Sequence, residues 1–219
     1  MHKTIQNLLN IENKLKSHLK DCYIKKIPKI IAVSKTFNVD KILPLIEYGH
    51  IHYGENKVQE ALDKWVEIKN KKPNIQLHMI GKLQTNKVKF AVKLFDYIHS
   101  VDSEKLAIKI SEEQKKIGRE IKIFIQINIG DENQKSGVDK DKIQNLFSCC
   151  VKLKLNLVGF MCIPPFNSDP VFYFKEMEKI NKYYRLSELS MGMSSDYLKA
   201  AKYHSTFLRI GSEIFGQRS

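Results

Sequence analysis

The chain has 219 residues, 42% of them hydrophobic and 10% aromatic, which suits one soluble domain with a substantial core and excludes a disordered chain. Lys and Arg number 37 against 24 Asp and Glu, a formal net charge of +13, yet the lysines are spread along the chain with no long basic block. That spread reads as a basic surface of the kind AT-rich codon usage produces, not as a nucleic-acid site.

Residues 4–20 place Ile5, Leu8, Leu9, Ile11, Leu15 and Leu19 among charged positions, the pattern of an amphipathic helix. Ile30 to Val33 is an apolar run that predicts a strand buried on both faces, and Lys35 stands two residues past it. A helix is predicted from Asn38, a good N-cap, to Gly49, with Pro44 expected to kink it or delay its start. Ile51–Gly54 reads as a second strand, followed by a helix opening at Glu55–Asn56 and running to about Asn70. Leu77–Ile80 is a third strand, with a helix over about 86–94, and Tyr97–Val101 is a fourth. Asp102 or Ser103 should cap a helix reaching Gly118.

The β-branched run from Ile121 to Ile129 is the clearest strand. A polar loop to Gly137 precedes a helix over about 139–153 and a sixth strand over 155–161. Residues 169–184 predict a helix with Phe172, Met177 and Ile180 facing inward. Glu188–Met191 and Phe207–Ile210 complete the strands, with a helix between them starting near Ser194–Ser195. Eight strands alternating with helices, with no linker or shift in composition, predict one (β/α)₈ barrel over residues 1–219 with an extra amino-terminal helix. An open doubly wound sheet fits less well, and no glycine-rich dinucleotide turn follows the first strand.

In such a barrel the carboxyl ends of all strands share one mouth. Lys35, Glu55–Asn56, Gly81–Lys82, Asp102–Ser103, Asn128, Ser190 and Arg209–Ser212 would gather there. A partly desolvated lysine at a strand end can serve as an amine nucleophile. Taken alone, Lys35 is more ordinarily a solvated strand-end residue, so the case rests on its company. Gly211–Ser212, after the last strand and before a final helical turn, offers backbone N–H groups and a hydroxyl to a phosphate, with Ser190 and Ser194 as further donors. A glycine turn capped by serines explains the same segment equally well.

Cys22, Cys149, Cys150 and Cys162 have no CxxC spacing and read as reduced, buried thiols, so a cytoplasmic protein is expected. Residues 1–20 have no long apolar core, and the apolar stretch near Leu157–Phe166 is too short to span a bilayer. The histidines lack metal-ligand spacing; His78 and His99 are expected as hydrogen-bonded core residues, and no metal is expected. Lys82, Lys87 and Lys135 read as solvated surface, with cofactor contact or a second docking site as the alternative.

The segments AVSKT (32–36), HYGENKVQEA (52–61), HMIGKLQTNK (78–87), HSVDS (99–103), QINIGDENQKSGV (126–138), GFMCIPP (159–165), LSMGMSSDY (189–197) and STFLRIGSEIFGQR (205–218) resemble the pyridoxal 5′-phosphate (PLP) homeostasis proteins of the YggS/PROSC type, in order and over nearly the whole chain. The resemblance implies a barrel similar to the amino-terminal domain of alanine racemase, with PLP held as a Schiff base on Lys35. It also implies a phosphate resting on Gly211 and Ser212 with Ser194 or Ser190 nearby, Arg209 facing the pyridine nitrogen, and Asn56 near the ring. Family members regulate vitamin B6 levels, with no catalytic turnover established. A guanidinium beside the ring nitrogen disfavours its protonation, which weakens the ring as an electron sink.

The chain departs from the family pattern at Phe37 and Asn38, where a second basic residue and a proline often stand. It departs again at His204, often glycine, with an altered loop near the phosphate expected there. The implied role is a non-catalytic, monomeric PLP carrier whose candidate partners are apo PLP-dependent enzymes, without nucleic acid or membrane. A small PLP-dependent amino-acid racemase or lyase, and a basic phosphate- or nucleic-acid-binding barrel with Lys35 incidental, are the competing readings.

Overall fold

The computed structural model describes residues 1–132 and 136–217. Helix α1 (Lys3–Asp21) leads into β1 (Lys29–Val33), α2 (Val39–Tyr48), β2 (His52–Glu55), α3 (Val58–Lys71), β3 (Gln76–Met79), α4 (Val88–Leu94) and β4 (Tyr97–Val101). There follow α5 (Glu104–Ile117), β5 (Lys122–Ile127), α6 (Ile143–Lys152), β6 (Asn156–Cys162), α7 (Pro170–Tyr183), β7 (Glu188–Met193), α8 (Tyr197–Lys202), β8 (Phe207–Ile210) and α9 (Ser212–Phe215). The eight strands pair in parallel in sequence order, and β8 closes on β1 through Lys29–Phe207 to Ala32–Ile210. This is a (β/α)₈ barrel with an added first helix.

Strand alternation divides the core into two layers. Outward-facing Ile30, Ala32, Ile98 and Leu208 join the apolar stripes of the helices, including Leu8, Leu15, Trp65 and Phe174, in one large cluster. Inward-facing Ile31, Val33, Tyr97, Phe124, Met161 and Phe207 form a smaller cluster inside the barrel.

Several boundaries differ from the sequence reading for local reasons. Helix α2 runs through Pro44, which sits six residues into it and so forfeits one hydrogen bond, to the Asp40 carbonyl. Its end is a left-handed Gly49 with φ +100°. Glu55 belongs to β2, not to the following helix, because its carbonyl accepts the Ile80 amide at 2.9 Å. Strand β5 stops at Ile127, and the Asn128 amide turns to the Val138 carbonyl at 3.0 Å. Strand β7 continues to Met193, and α8 begins only at Tyr197, after a turn in which Asp196 Oδ1 accepts the Met193 amide at 2.6 Å.

On α7 the inward aromatic is Phe174, fully buried, and not Phe172, which is 68% exposed. Met177 lies one turn from Phe174 on the same face, whereas Phe172 is five residues from Met177, on another side of the helix. His204 keeps the left-handed backbone expected where glycine is common, with φ +59°, but it precedes β8 at the amino end of the barrel. The expectation that it reshapes a loop near the mouth is therefore corrected. It pairs instead with Glu178 of α7 at 2.7 Å.

The α7 assignment predicts unequal effects of two neighbouring truncations. Phe174→Ala should lower the free energy of unfolding by about 3–5 kcal/mol, whereas Phe172→Ala should change it by less than about 0.5 kcal/mol. Urea denaturation of the two variants measures the difference; equal losses would place Phe172 in the core.

Candidate functional site

The period of two that fills the barrel also builds its mouth. Beyond Ile31 and Val33 the next inward position is Lys35; beyond His52 and Gly54 it is Asn56; beyond Phe207 come Arg209 and Gly211. These residues line one cavity of about 840 Å³ at the carboxyl ends of the strands. Ile80 and Lys82 of the β3 end, Gln126 and Asn128 of the β5 end, and Ser194 and Ser195 after β7 complete much of its wall.

The backbone around Lys35 is clamped by a buried charged network. Glu55, with no exposed surface, accepts on Oε1 from Ser34 Oγ at 2.7 Å, Lys64 Nζ at 2.9 Å and Trp65 Nε1 at 2.9 Å. Lys64 also donates to the Ser34 carbonyl at 2.9 Å and to Glu60 at 3.1 Å. Glu60 in turn accepts the Thr36 amide. Burial pushes the Glu60 carboxyl up, but the Thr36 amide and Lys64 outweigh it and hold it below the ordinary value. Thr36 has φ +69°, a left-handed backbone that a β-branched residue adopts only when its surroundings impose it. The residues on both sides of Lys35 are thus pinned to β2 and α3.

The adjoining wall is built from β8, the strand paired with β1. Arg209 is 4% exposed, and its guanidinium donates to Ser190 Oγ at 2.7 Å and to the Cys162 carbonyl at 2.8 Å. Burial draws the Arg209 pKa down, while Cys162 and Asp196 oppose that shift. Next along the chain, the Gly211 amide donates to Ser194 Oγ at 3.4 Å, and Ser212 opens the short α9. Asn7 of α1 donates to the Ile214 carbonyl at 3.0 Å, and Phe37 packs on Phe215 with ring centroids 5.1 Å apart. The α9 turn is therefore held by both the first helix and the β1–α2 connection.

Of the residues singled out from sequence, Lys35, Asn56, Ser194, Arg209, Gly211 and Ser212 line this one cavity. Ser190 does not. It is fully buried below the floor, between Arg209 and His99, because it lies on β7 four residues before Ser194 and faces the closed interior. Lys82 lines the cavity, Lys87 does not, and Lys135 falls outside the described residues. The sequence reading passed over Gln126, Ser195, Ile163 and Gln217 as wall residues. Gln126, two residues before Asn128, and Ile163, two residues after inward-facing Met161, were accessible from strand alternation; Ser195 and Gln217 lie in turns or bends where no period of two reveals them. His78 and His99 are fully buried and hydrogen-bonded, as expected.

The donor set suits a small anionic ring compound. Arg209, two serine hydroxyls and a glycine amide contribute donors to the cavity that Lys35 also lines. The Asn56 Oδ1 atom is buried without a hydrogen-bond partner, so it offers an unused acceptor at the wall. Gly81 belongs to the same contact, since a Cβ there would lie 2.4 Å from the Asn56 carbonyl oxygen. Among the described residues, no group of three or more His, Cys, Asp or Glu side chains is placed to hold a metal ion.

A closed parallel barrel with this mouth is of the alanine racemase amino-terminal domain class, whose family model matches residues 7–219. The pyridoxal phosphate homeostasis protein of Vibrio cholerae is 34% identical over 230 residues, covering 100% of this chain and 98% of that protein. The chain belongs to the pyridoxal phosphate homeostasis protein family. The structure of PipY from Synechococcus elongatus with PLP bound matches with a TM-score of 0.81 and 31% identity, over 92% of this chain and 100% of its own. Alanine racemase of Clostridium difficile matches at 15% identity and a TM-score of 0.72 over 98% of this chain and 56% of its own, a likeness of fold alone.

The clamp predicts a large cost for removing its cation. Lys64→Ala leaves the Glu55 carboxylate buried without its counter-charge and should cost about 3–5 kcal/mol of stability. It should also speed hydrogen exchange at the Thr36 amide. A loss below about 1 kcal/mol in urea denaturation would mean that the pair behaves as an exposed one.

Proposed function

We propose that this protein binds PLP through Lys35 and holds and releases the cofactor as part of intracellular vitamin B6 homeostasis, without turning over a substrate. The observation that carries this reading is one cavity shared by Lys35, Arg209 and the Gly211–Ser212 turn with Ser194. The PLP-bound relative supports it. When bound, PLP supplies an aldehyde that condenses with an amine and a pyridine ring that withdraws electrons.

The chain's own residues then have separate tasks. Lys35 supplies the amine and forms the Schiff base, with its backbone fixed by Glu55, Lys64 and Glu60. The Gly211 amide and the hydroxyls of Ser194 and Ser212 bind the phosphate, turning toward it from their present contacts. Asn56 lies beside the ring and gives its unused Oδ1 an acceptor role there. Arg209, which lines the same cavity, would face the ring nitrogen and, as a cation, disfavour a proton on it. A ring without that proton is a poor sink for carbanion electrons, so the site favours holding the cofactor over racemisation or lyase chemistry. Apo forms of PLP-dependent enzymes are the recipients this role requires, and the four free thiols suit the cytoplasm. With Phe37 packed on Phe215, the position after Thr36 supplies no second amine.

Purified protein incubated with PLP should show a visible absorption band, and borohydride reduction should leave the cofactor on the peptide containing Lys35. Lys35→Ala should abolish that adduct while leaving the fold intact by circular dichroism; undiminished capture in the variant refutes the assignment. Amino acids added to the loaded protein should be racemised or cleaved no faster than by free PLP, and turnover above that rate would establish the enzyme reading.

A further inference from the structure

A line of buried polar side chains crosses the barrel interior below the cavity. Arg209 Nη1 lies 2.7 Å from Ser190 Oγ, and Ser190 Oγ lies 2.9 Å from His99 Nδ1. His99 Nε2 lies 2.9 Å from His78 Nδ1, and His78 Nε2 lies 3.0 Å from His52 Nδ1. The line passes through β8, β7, β4, β3 and β2, and ends at half-buried His52 near the amino end of the barrel. Its rings are locked. His78 stacks on Tyr97 with centroids 4.3 Å apart, and His99 stacks on Phe124 at 4.2 Å. Phe207 meets all three imidazoles within 5.9 Å.

Elementary donor counting gives this line a direction. A guanidinium can only donate, so Ser190 Oγ accepts from Arg209. The Ser190 hydroxyl hydrogen is then best used on His99 Nδ1, which requires that nitrogen to be unprotonated. Burial holds His78 and His99 neutral, far below the ordinary histidine range, and the Arg209 cation adds to the effect at His99. A neutral His99 with bare Nδ1 carries its proton on Nε2 and donates to His78 Nδ1. By the same step His78 carries its proton on Nε2 and donates to His52 Nδ1. One arrangement of protons therefore satisfies every contact from Arg209 to His52.

We propose that Ser190, His99, His78 and His52 are positioning residues for Arg209, acting as a hydrogen-bond relay that points away from the cavity. A relay of fixed direction presents Arg209 with an acceptor only, and so holds the guanidinium charged and in one orientation at the cavity floor. The remaining guanidinium N–H groups are left for whatever occupies the cavity. Its consequence for cofactor affinity rests on the PLP reading above; its proton arrangement does not.

The test uses the full chain labelled with ¹⁵N and free of cofactor. Long-range ¹H–¹⁵N correlation spectra of the imidazoles should show the Nε2–H tautomer for His52, His78 and His99 at neutral pH. A proton on Nδ1 of His78 or His99, or a doubly protonated ring at either, would overturn the relay. Ser190→Ala should move the His99 Nδ1 resonance toward that of a nitrogen without a hydrogen bond.

PLP titration then tests the positioning role. Ser190→Ala and His99→Phe should each weaken binding by about tenfold, the loss expected when one charged hydrogen bond goes. His99→Asn retains an acceptor at the Nδ1 position and should stay within about threefold of the parent. Folded variants that all bind PLP as the parent does would refute positioning. A parent protein that binds no PLP would refute the proposed function instead, and the tautomer spectrum would still decide the relay.

Discussion

The site depends on a buried carboxylate. Glu55 sits at the end of β2 with no exposed surface, and one of its oxygens gathers a serine hydroxyl, an ammonium and an indole N–H. An unpaired carboxylate at that depth would be costly, so the pairing with Lys64 makes β2, α3 and the end of β1 one unit. The strained backbone of Thr36 persists because Glu60, tied to the same lysine, holds its amide. Stiffness around Lys35 thus originates in the neighbouring strand and helix, not in β1 itself.

The adjoining wall on β8 relies on a different principle. Arg209 is held by neutral acceptors, a serine oxygen and a peptide carbonyl, with no carboxylate on its guanidinium among the described residues. Asp196 is near enough to influence it, but burial raises the Asp196 carboxyl above its ordinary value and its Oδ1 is engaged by the Met193 amide. A guanidinium bound by neutral partners keeps most of its positive field available to the cavity. The two neighbouring walls therefore differ in kind: an ion-paired network around Lys35, and beside it a cation whose hydrogen-bond partners are neutral.

Much of the fold was legible because the barrel repeats one simple pattern. Tyr97–Val101 and Phe207–Ile210 match their predicted limits, since each begins on an aromatic residue, ends on a β-branched one and is followed by a helix-opening pair, Asp102–Ser103 or Gly211–Ser212. The site was legible where it continues a strand's alternation, as at Lys35, Asn56 and Arg209. It was illegible where a residue's direction depends on distant strands. Ser190 lies on a strand close to Ser194, and only the closed interior shows that one faces Arg209 from below while the other borders the cavity. Phe172 failed for a different reason: helical spacing already sets it five residues from Met177 and off that face, whereas Phe174 stands three residues from Met177 and on it.

Barrel closure gives the site a place in the history of each molecule. Strand β8 pairs with both β7 and β1, and it carries Arg209 while leading directly into Gly211 and Ser212. Synthesis proceeds from the amino terminus, so Lys35 and its clamp of Glu55, Glu60 and Lys64 leave the ribosome long before the β8 wall exists. Lys35 is in place early, and Arg209, Gly211 and Ser212 arrive last. The full cavity forms only at a late, long-range closure, so a cavity with Lys35 and the β8 residues together marks a completed ring.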